Sequence, residues 1–209
     1  MTREDIFTKI YKDHIWSGQS KSGTSSDPIR TSHLVSKIIQ LIEEYNIQSI
    51  VDAPCGDFIW VKDIIEKTKI SYIGYDIVKE LIEDNQKLYS QEYNALFQKR
   101  DITKNTLAKA DLMLCRDCLV HLSFESINSF LRNFIASGCS YLLTTTFTYS
   151  HRGNADLVED IIGWRPLNLQ NAPFNFRDPL KTIQEVNVEA DRFSDKSLCL
   201  WAREQIVSR

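Results

Sequence analysis

The stretch IVDAPCGDF, residues 50–58, decides the fold predicted for this 209-residue chain. It reads as a short apolar strand that ends in Asp52, followed by a turn of small residues and the start of a helix. Three later apolar runs also end in an acid: SYIGYD at Asp76, ALFQKRD at Asp101 and DLMLCRD at Asp117. Because parallel strands present their carboxyl ends at one edge of a sheet, these carboxylates should line the edge where open α/β sheets bind ligands.

The order of the predicted elements is that of a single α/β domain. The predicted strands cover residues 49–53, 71–76, 95–100, 111–116 and 140–147, and the predicted helices cover 3–14, 30–45, 58–67, 78–90 and 123–136. This alternation predicts right-handed crossovers and a parallel sheet covered on both faces. Two last strands, near 181–188 and 196–203, should pair as an antiparallel hairpin. We expect an N-terminal helix and Ser/Gly loop over residues 1–29, and one domain over 30–209 with a long irregular loop at 149–179.

Composition and charge exclude several classes of protein. A formal net charge of -3 offers no electrostatic reason to bind nucleic acid. The sequence shows neither a charged-then-apolar leader nor an apolar run of about twenty residues, so we expect no signal peptide and no membrane span. Five cysteines without framework spacing fit a reduced, cytoplasmic chain. The expected partner is a small molecule, and the sequence leaves the oligomeric state open.

The alternation and its closing hairpin resemble the class I S-adenosylmethionine-dependent methyltransferases, from about Arg30 to the C-terminus. The resemblance implies a Rossmann-like, seven-stranded, mostly parallel sheet and S-adenosylmethionine as the cofactor. In that family the first loop usually carries three glycines, whereas this chain keeps only Gly56, and Pro54 has no N–H. A pyrophosphate needs the glycine-rich turn, so this loop suits S-adenosylmethionine better than a dinucleotide. The aromatic pair that follows, Phe58 and Trp60, is predicted to pack in the core.

The resemblance assigns cofactor roles to residues at the strand ends. Asp76 would accept hydrogen bonds from both ribose hydroxyls, and Asp101 would accept from the adenine amine while Ile102 packs on the ring. The residues implied for the cofactor are Asp52, Pro54, Cys55, Gly56, Asp57, Asp76, Ile77, Asp101, Ile102 and Arg116. Asp52 has a plainer interpretation as a strand end that caps the turn, and Arg116 as the partner of a nearby carboxylate.

The segment CRDCLVHLS, residues 115–123, leaves the fourth strand with two titratable side chains. In the family this position faces the transferring methyl group and the incoming nucleophile, which assigns Asp117 and His121 to catalysis. His121, with an ordinary pKa of about 6.5, is the predicted general base for a hydroxyl acceptor, and Asp117 would orient it or bind the acceptor. In the alternative, a partly buried His121 ties down the loop. Cys115 and Cys118 form a lone C-x-x-C pair, interpreted as two small buried residues, and no metal site is predicted.

Acceptor recognition is assigned to the irregular segments. The run GWRPLNLQNAPFNFRDP, residues 163–179, combines aromatic, amide and guanidinium groups on a loop stiffened by proline, which suits a polar, sugar-like or anionic small molecule. The Ser/Gly loop at 17–26 is predicted to close over the cofactor as a lid. The predicted acceptor-binding residues are Trp16, Arg30, Thr146, Trp164, Arg165, Asn168 and Asn175. In the alternative, the long loop merely covers the edge of the sheet.

A narrower resemblance joins these segments. The runs SGQSKSG, DAPCGDFIW, CRDCLVHLS, LLTTTF, WRPLNLQNAPFNF and SDKSLCLW are together similar to a group of small bacterial methyltransferases often associated with surface-polysaccharide biosynthesis. The expected function is methyl transfer from S-adenosylmethionine to a small acceptor, a hydroxyl of a sugar or sugar-derived group. Two other interpretations stay open: an NAD(P)-dependent oxidoreductase on a similar sheet, and a non-catalytic scaffold subunit that binds the cofactor.

Overall fold

The computed structural model describes residues 1–158, 163–185 and 193–206, and within them seven strands form one sheet. The strands are β1 (Ser49–Asp52), β2 (Ser71–Asp76), β3 (Ala95–Lys99), β4 (Leu112–Cys115), β5 (Tyr141–Phe147), β6 (Lys181–Gln184) and β7 (Lys196–Ala202). Their order across the sheet is β3-β2-β1-β4-β5-β7-β6. Strands β1 to β5 run parallel, whereas β7 pairs antiparallel with both β5 and β6. The predicted parallel sheet with a closing antiparallel hairpin is confirmed.

Helices flank the sheet, and local sequence explains where they begin and end. They are α1 (Arg3–Lys12), α2 (Pro28–Glu44), α3 (Lys62–Thr68), α4 (Lys79–Tyr89), α5 (Phe124–Ser137) and α6 (Arg203–Ile206). Helix α2 starts with Pro28, at a position where the missing N–H would have no partner in the helix. The Ser123 hydroxyl caps α5 by accepting from the N–H of Ser126 at 3.2 Å, and Gly138 ends that helix with a φ of 76°.

The core consists of two apolar clusters, one on each face of the sheet. Successive residues of β4 alternate between them, with Leu112 and Leu114 packing beside α2 and α3, and Met113 and Cys115 beside α5. Both faces are thus covered by apolar side chains, as the near-continuous apolar strands predict. Polar side chains gather instead at the carboxyl edge, where the strand order reverses between β1 and β4.

Two elements differ from the sequence prediction. The sequence pattern predicts a helix over 58–67, but turns continue after β1 and α3 begins only at Lys62. Phe58 lies in these turns with a φ of 60°, and its buried ring packs in the core as predicted. The fixed position of this ring stabilises a backbone conformation that an aromatic residue rarely adopts. The strand predicted near 181–188 is seen as β6, and residues 186–188 lie outside the described part of the chain.

The N-terminal segment packs on the rest of the domain through α1. Ile6, Ile10 and Tyr11 are buried, and the Tyr11 hydroxyl donates to Asp84 of α4 at 2.5 Å. Residues 13–27 then continue as turns and a short 3-10 helix (Thr24–Ser26), and Trp16, Ser22 and Ser26 reach the carboxyl edge of the sheet. Among the described residues, no helix combines the length and the apolar character needed to cross a bilayer.

Candidate active site

A cavity of about 900 Å³, its open mouth included, lies at the carboxyl edge of the sheet. Asp52, Asp76, Asp101 and Asp117, which end or follow β1 to β4, all line it, and so does His121. The predicted cofactor residues also line it, namely Asp52, Pro54, Cys55, Gly56, Asp57, Asp76, Ile77, Asp101, Ile102 and Arg116. Side chains that are far apart in the sequence therefore meet at one place because their strands end at one edge.

The loop after β1 approaches the N-terminal segment closely at Gly56. This glycine has a φ of 55°, and a Cβ atom there would lie 2.3 Å from the Oγ of Ser22. The backbone conformation and the close contact therefore both favour glycine at this position. Asn85 of α4 donates to the Gly56 carbonyl at 2.8 Å, and the Gly56 N–H donates to Asp76 at 3.3 Å. These bonds hold a loop that lacks the other glycines of the expected pattern.

The Ser/Gly loop is attached to the same turn through Asp57. The two carboxylate oxygens of Asp57 accept from the hydroxyl of Ser20 at 3.1 and 3.0 Å, and one also accepts from the N–H of Lys21 at 2.8 Å. The Asp57 N–H in turn donates to the hydroxyl of Ser22 at 3.1 Å. Ser22 and Ser26 line the cavity, so this loop forms part of its wall.

Asp76 is a buried carboxylate at the tip of β2. Its Oδ1 accepts from the N–H of Val78 at 3.0 Å, and its Oδ2 accepts from the N–H of Gly56 at 3.3 Å. Burial raises the pKa of Asp76 to about 6, although these backbone donors act in the opposite direction. Each carboxylate oxygen has two lone pairs, so the group can accept further hydrogen bonds from a ligand in the cavity.

Asp52 lies deeper in the cavity and is 2% exposed. The hydroxyl of Tyr72, which pairs with Ile50 across the β1–β2 ladder, donates to Oδ2 of Asp52 at 2.7 Å. Burial raises the pKa of Asp52 to about 8, and the bond from Tyr72 offsets only part of that effect. Within the described residues no salt bridge reaches this carboxyl group. The group therefore favours either a proton or a cationic ligand beside it.

Asp101 connects the end of β3 to the N-terminal helix. Its Oδ1 accepts from the hydroxyl and the N–H of Thr103, at 2.7 and 3.0 Å, and lies 3.4 Å from Nη1 of Arg3. Burial acts to raise the pKa of Asp101, but the hydrogen bonds from Thr103 and the charge of Arg3 hold it below its usual range. Arg3 also donates to Ser126 of α5, so it closes the cavity between β3 and α5.

His121 reaches the cavity from a short 3-10 turn, residues 119–121, after β4. Its Nδ1 lies 2.6 Å from the carbonyl oxygen of Gly163. Because a carbonyl oxygen only accepts, Nδ1 carries the proton and Nε2 keeps its lone pair. Burial lowers the pKa of His121, and the bond to Gly163 offsets only part of that effect. The ring is therefore neutral at pH 7 and able to accept a proton at Nε2.

Among the described residues, Asp117 makes no hydrogen bond to His121, because other partners hold its carboxylate. The Oδ2 of Asp117 accepts from Nζ of Lys196 at 2.6 Å, and its N–H donates to the Thr145 hydroxyl at 2.8 Å. Although burial favours the neutral acid, the ammonium of Lys196 holds the pKa of Asp117 well below its usual range. The carbonyl of Gly163, in a distant loop, fixes the imidazole instead.

Arg116 belongs to a group of charged side chains beside the cavity. Its Nη2 donates to Oε2 of Glu185 at 2.7 Å and to the carbonyl of Ser25 at 2.9 Å. The same Oε2 lies 3.2 Å from Nζ of Lys196, and the guanidinium lies 5.3 Å from the ring centroid of Trp60. The alternative interpretation of Arg116, as the partner of a carboxylate, therefore applies. Trp60 is buried as predicted, but its ring also lines the cavity.

Most residues predicted to bind the acceptor lie outside the cavity. Of the seven, all within the described residues, only Trp16 lines it. Arg165 is buried, and its guanidinium donates to the backbone carbonyls of Ala155, Leu119 and Leu122. These bonds satisfy backbone groups that the folded loop removes from water. The guanidinium of Arg165 is therefore engaged within the protein and does not line the cavity.

The other side chains predicted to contact the acceptor, apart from Trp16, also do not line the cavity. The Thr146 hydroxyl donates to the carbonyl of Leu167 at 3.2 Å, and the Asn168 amide donates to that of Tyr149 at 3.2 Å. The side chains that are largely exposed instead are those of Arg30, Trp164 and Asn175. Within the described residues, the side chains of the long loop that were assigned to the acceptor therefore do not line the cavity.

Several lining residues carry little sequence signal. They include Arg3, Phe7, Ser22, Ser26, Arg100, Cys118 and Leu122. Arg3 and Phe7 are four residues apart on α1 and therefore share one face of that helix. This spacing is the one available signal, and it becomes informative only once the helix is known to face the sheet edge.

The cysteines show no feature of a reactive or metal-binding site. All five are free and buried, and burial raises the pKa of Cys55 well above its usual range. A buried thiol of this kind is rarely ionised and so reacts slowly. Over residues 1–158, 163–185 and 193–206, no group of three or more His, Cys, Asp or Glu is placed to hold a metal ion.

Comparison with known proteins finds similarity in structure but not in sequence. No protein-family model and no curated protein matches the chain. Human N-acetylserotonin methyltransferase, crystallised with S-adenosylmethionine, has a TM-score of 0.66 and 15% identity over 97% of this chain and 60% of its own. The fold is that of the S-adenosylmethionine-dependent methyltransferases.

Two bacterial structures resemble this chain over most of their length. Magnesium protoporphyrin IX methyltransferase from Synechocystis PCC 6803, with bound S-adenosylhomocysteine, has a TM-score of 0.64 and 12% identity over 96% of this chain and 97% of its own. A S-adenosylmethionine-dependent methyltransferase from Clostridium acetobutylicum ATCC 824 has a TM-score of 0.55 and 15% identity over 81% and 90% of the two chains. This chain spans only 60% of the human enzyme, so the similarity concerns the shared methyltransferase fold.

Proposed function

We propose that this protein binds S-adenosylmethionine and transfers its methyl group to an oxygen of a small acceptor. The observation that carries the proposal is that buried Asp76, at the tip of β2, and neutral His121, after β4, line one cavity of this fold. When bound, S-adenosylmethionine supplies a methyl group that its sulfonium makes electrophilic. The chain then has to bind, align and deprotonate the acceptor.

The cavity suits this cofactor in charge and in hydrogen-bonding capacity. Asp76 keeps lone pairs for two ribose hydroxyls, and Asp101 with Ile102 would receive the adenine. Among the described lining residues, five carboxylates face three arginines. The resulting negative field favours a ligand that carries a sulfonium and an ammonium group. Asp52, which has no salt bridge within the described residues, adds to that field when ionised.

His121 is the general base of the proposed reaction. Its Nε2, which has no hydrogen-bond partner among the described residues, would take the proton of the acceptor hydroxyl, while the carbonyl of Gly163 keeps the ring in the reactive tautomer. A positioned base contributes a factor of about 10² to 10⁴, and alignment of the reactants contributes about 7–11 kcal/mol. Asp117 is held by Lys196, so in this proposal it shapes the site and contacts the acceptor without taking a proton.

The same features disfavour an NAD(P)-dependent oxidoreductase. A pyrophosphate is held by a glycine-rich turn at a helix N-terminus, and here Gly56 stands alone and α3 begins six residues later, at Lys62. An excess of carboxylates in the cavity also repels the two phosphate charges.

The acceptor and the setting are proposed from the sequence. Its motifs favour a hydroxyl of a sugar or sugar-derived group, and the free cysteines favour action in the cytoplasm. A net charge of -3 favours a small-molecule acceptor over nucleic acid. The segment before Arg30, which contributes Arg3, Phe7 and Trp16 to the cavity, would close over the bound ligands.

The proposed cofactor site is tested by Asp76→Asn. Loss of a charged acceptor for two hydroxyls should weaken S-adenosylmethionine binding by about tenfold or more in calorimetric titration. Glu83→Gln, at an exposed acid on α4, is the matched control and should bind like the unaltered protein. Equal affinity of the Asp76 variant and the control would refute the ribose role of Asp76.

A scaffold subunit that binds the cofactor without catalysis is separated by His121→Gln. With any hydroxyl compound that the protein methylates, this variant should form S-adenosylhomocysteine at least about 10²-fold more slowly than the unaltered protein. Its affinity for the cofactor should be unchanged. Normal turnover in the variant would rule out His121 as the base. Complete absence of methyl transfer to any acceptor, with tight cofactor binding, would favour the scaffold.

A further inference from the structure

Three rings form an aromatic wall, Phe7, Trp16 and His121, on one side of the cavity. Trp16 is stacked with His121, with ring centroids 5.1 Å apart and planes 25° apart. Phe7 meets Trp16 edge-on at 6.0 Å and His121 edge-on at 6.3 Å. All three rings are only partly buried and line the cavity, so the wall leaves aromatic surface open to a ligand.

Trp16 is held in place from behind by the Ser/Gly loop. Gly23 has a φ of 99°, and a Cβ atom there would lie 3.3 Å from the Cβ of Trp16. The loop backbone therefore packs directly on this side chain, which is possible because residue 23 is glycine. The wall thus combines two rings of the N-terminal segment with the imidazole of His121, whose Nε2 has no hydrogen-bond partner among the described residues.

The charges around this wall do not favour an anionic acceptor. Among the described lining residues there are five acidic side chains and three arginines, so the acids outnumber the arginines even though burial keeps Asp52 largely protonated at neutral pH. Arg116 is paired with Glu185, and Arg3 lies against Asp101 and Thr103. Arg100, whose N–H donates to the carbonyl of Asp76, follows β3, which is three strand spacings, about 14 Å, from β4.

The long loop does not supply the missing cation either. Arg165, the residue there best suited to an anionic group, is buried and donates to three backbone carbonyls. Lys196, at the start of β7, is paired with Asp117 and Glu185. Among the described residues, an acceptor phosphate or carboxylate next to His121 would therefore find no free cationic partner to compensate for its lost hydration, which is costly.

From these observations we infer that the acceptor is an uncharged ring that carries a hydroxyl and lies with one flat face against the aromatic wall. This inference rests on the proposed methyl transfer and specifies the chemical class of its acceptor. A pyranose with an apolar C–H face and a phenol-like ring share the required chemistry. A phosphorylated or carboxylated ring lacks it, in contrast to the anionic acceptor that the long loop alone suggests.

Imidazole NMR of the protein saturated with S-adenosylhomocysteine tests this directly. The His121 signals, assigned with His121→Gln, are followed during titration with two matched pairs: phenol with phenyl phosphate, and methyl β-glucopyranoside with glucose 6-phosphate. In at least one of the two pairs, we expect the uncharged compound to shift the His121 signals and to bind at least about ten times more tightly than its phosphorylated partner. The member that binds also tells a phenol-like acceptor from a pyranose.

Variants separate the wall from a general effect on folding. Trp16→Leu should weaken binding of the uncharged ring by up to about tenfold, since an aromatic contact contributes about 0.5–1.5 kcal/mol. Trp16→Phe, which keeps an aromatic ring, should retain most of the affinity. Tyr149→Leu, at an exposed aromatic outside the cavity lining, is the control and should change nothing. Equal or tighter binding of the phosphorylated member, or no shift of His121 by either uncharged ring, overturns the inference.

The proposed function fails separately from this inference. If S-adenosylhomocysteine itself does not bind in the initial calorimetric titration, the methyltransferase proposal is refuted before any ring is tested. If it binds and the rings behave contrary to expectation, only the class of acceptor is wrong.

Discussion

At the scale of single residues, the buried carboxyl group of Asp52 should make the protein less stable as the pH rises. Its pKa is about 8 in the folded chain, against about 3.9 for an unfolded aspartate. Between these values the folded state holds a proton that the unfolded state has lost, so the free energy of unfolding falls from about pH 4 to about pH 8. This is the opposite of the behaviour of an aspartate in a salt bridge.

Asp52→Asn should therefore raise the melting temperature by several degrees at pH 8 and change it little at pH 5. The asparagine oxygen can still accept from the Tyr72 hydroxyl, which keeps the local hydrogen bond. Thermal unfolding of both proteins across this pH range gives the difference. A gain that is the same at both pH values would show that Asp52 is not the titrating group.

His121 should titrate below the ordinary histidine value of about 6.5, because burial disfavours its charged form. Nitrogen-15 NMR should also show the proton on Nδ1, as the bond to the Gly163 carbonyl requires. His33, on the exposed side of α2, provides an internal reference. A proton found on Nε2 of His121 at neutral pH would contradict its role as a base.

The sequence predicts those site residues whose position follows from the order of the strands. It does not predict the partners that come from contacts between distant segments. The acids at the ends of β1 to β4 come together because parallel strands end at one edge. The partner of His121 is the carbonyl of Gly163, which any residue would supply, so no side chain marks it in the sequence. Tyr72, which holds Asp52, is an ordinary strand residue until the register with β1 is known.

At the scale of elements, the contact between the loop after β1 and the Ser/Gly loop should be measurable as a coupling. Gly56→Ala forces a Cβ atom against the Oγ of Ser22 and costs about 1–2 kcal/mol more for its left-handed backbone. Ser22→Ala removes that oxygen. In the Ser22→Ala background, Gly56→Ala should therefore be about 1 kcal/mol less destabilising than in the unaltered protein. Denaturant unfolding of the four proteins measures this, and strictly additive effects would show that the two loops do not touch.

The role of the long loop cannot be predicted from its composition alone. Residues 163–179 have the composition of a recognition surface, but buried loops need polar partners for their own backbone. Arg165 and Asn168 serve that need, and composition alone does not separate the two uses. The helix predicted over 58–67 starts late because Phe58 is fixed in the core by packing that only the folded chain contains.

At the scale of the whole molecule, S-adenosylmethionine should stabilise the fold, since its site joins the ends of four strands to the N-terminal segment. A ligand at a hundred times its Kd contributes about 2.7 kcal/mol. For a chain of this size that corresponds to a rise in melting temperature of about 5–10 °C. At the same ligand concentration, a tenfold weaker Asp76→Asn variant should lose about half of the shift, and an equal shift with NAD would contradict the proposed selectivity.

The most direct measurement is a calorimetric titration of the purified protein with S-adenosylmethionine, S-adenosylhomocysteine and NAD. Binding of the first two with Kd values on the order of micromolar, and no binding of NAD, is the predicted result. Binding of NAD alone would contradict the proposal and point to hydride transfer on the same sheet.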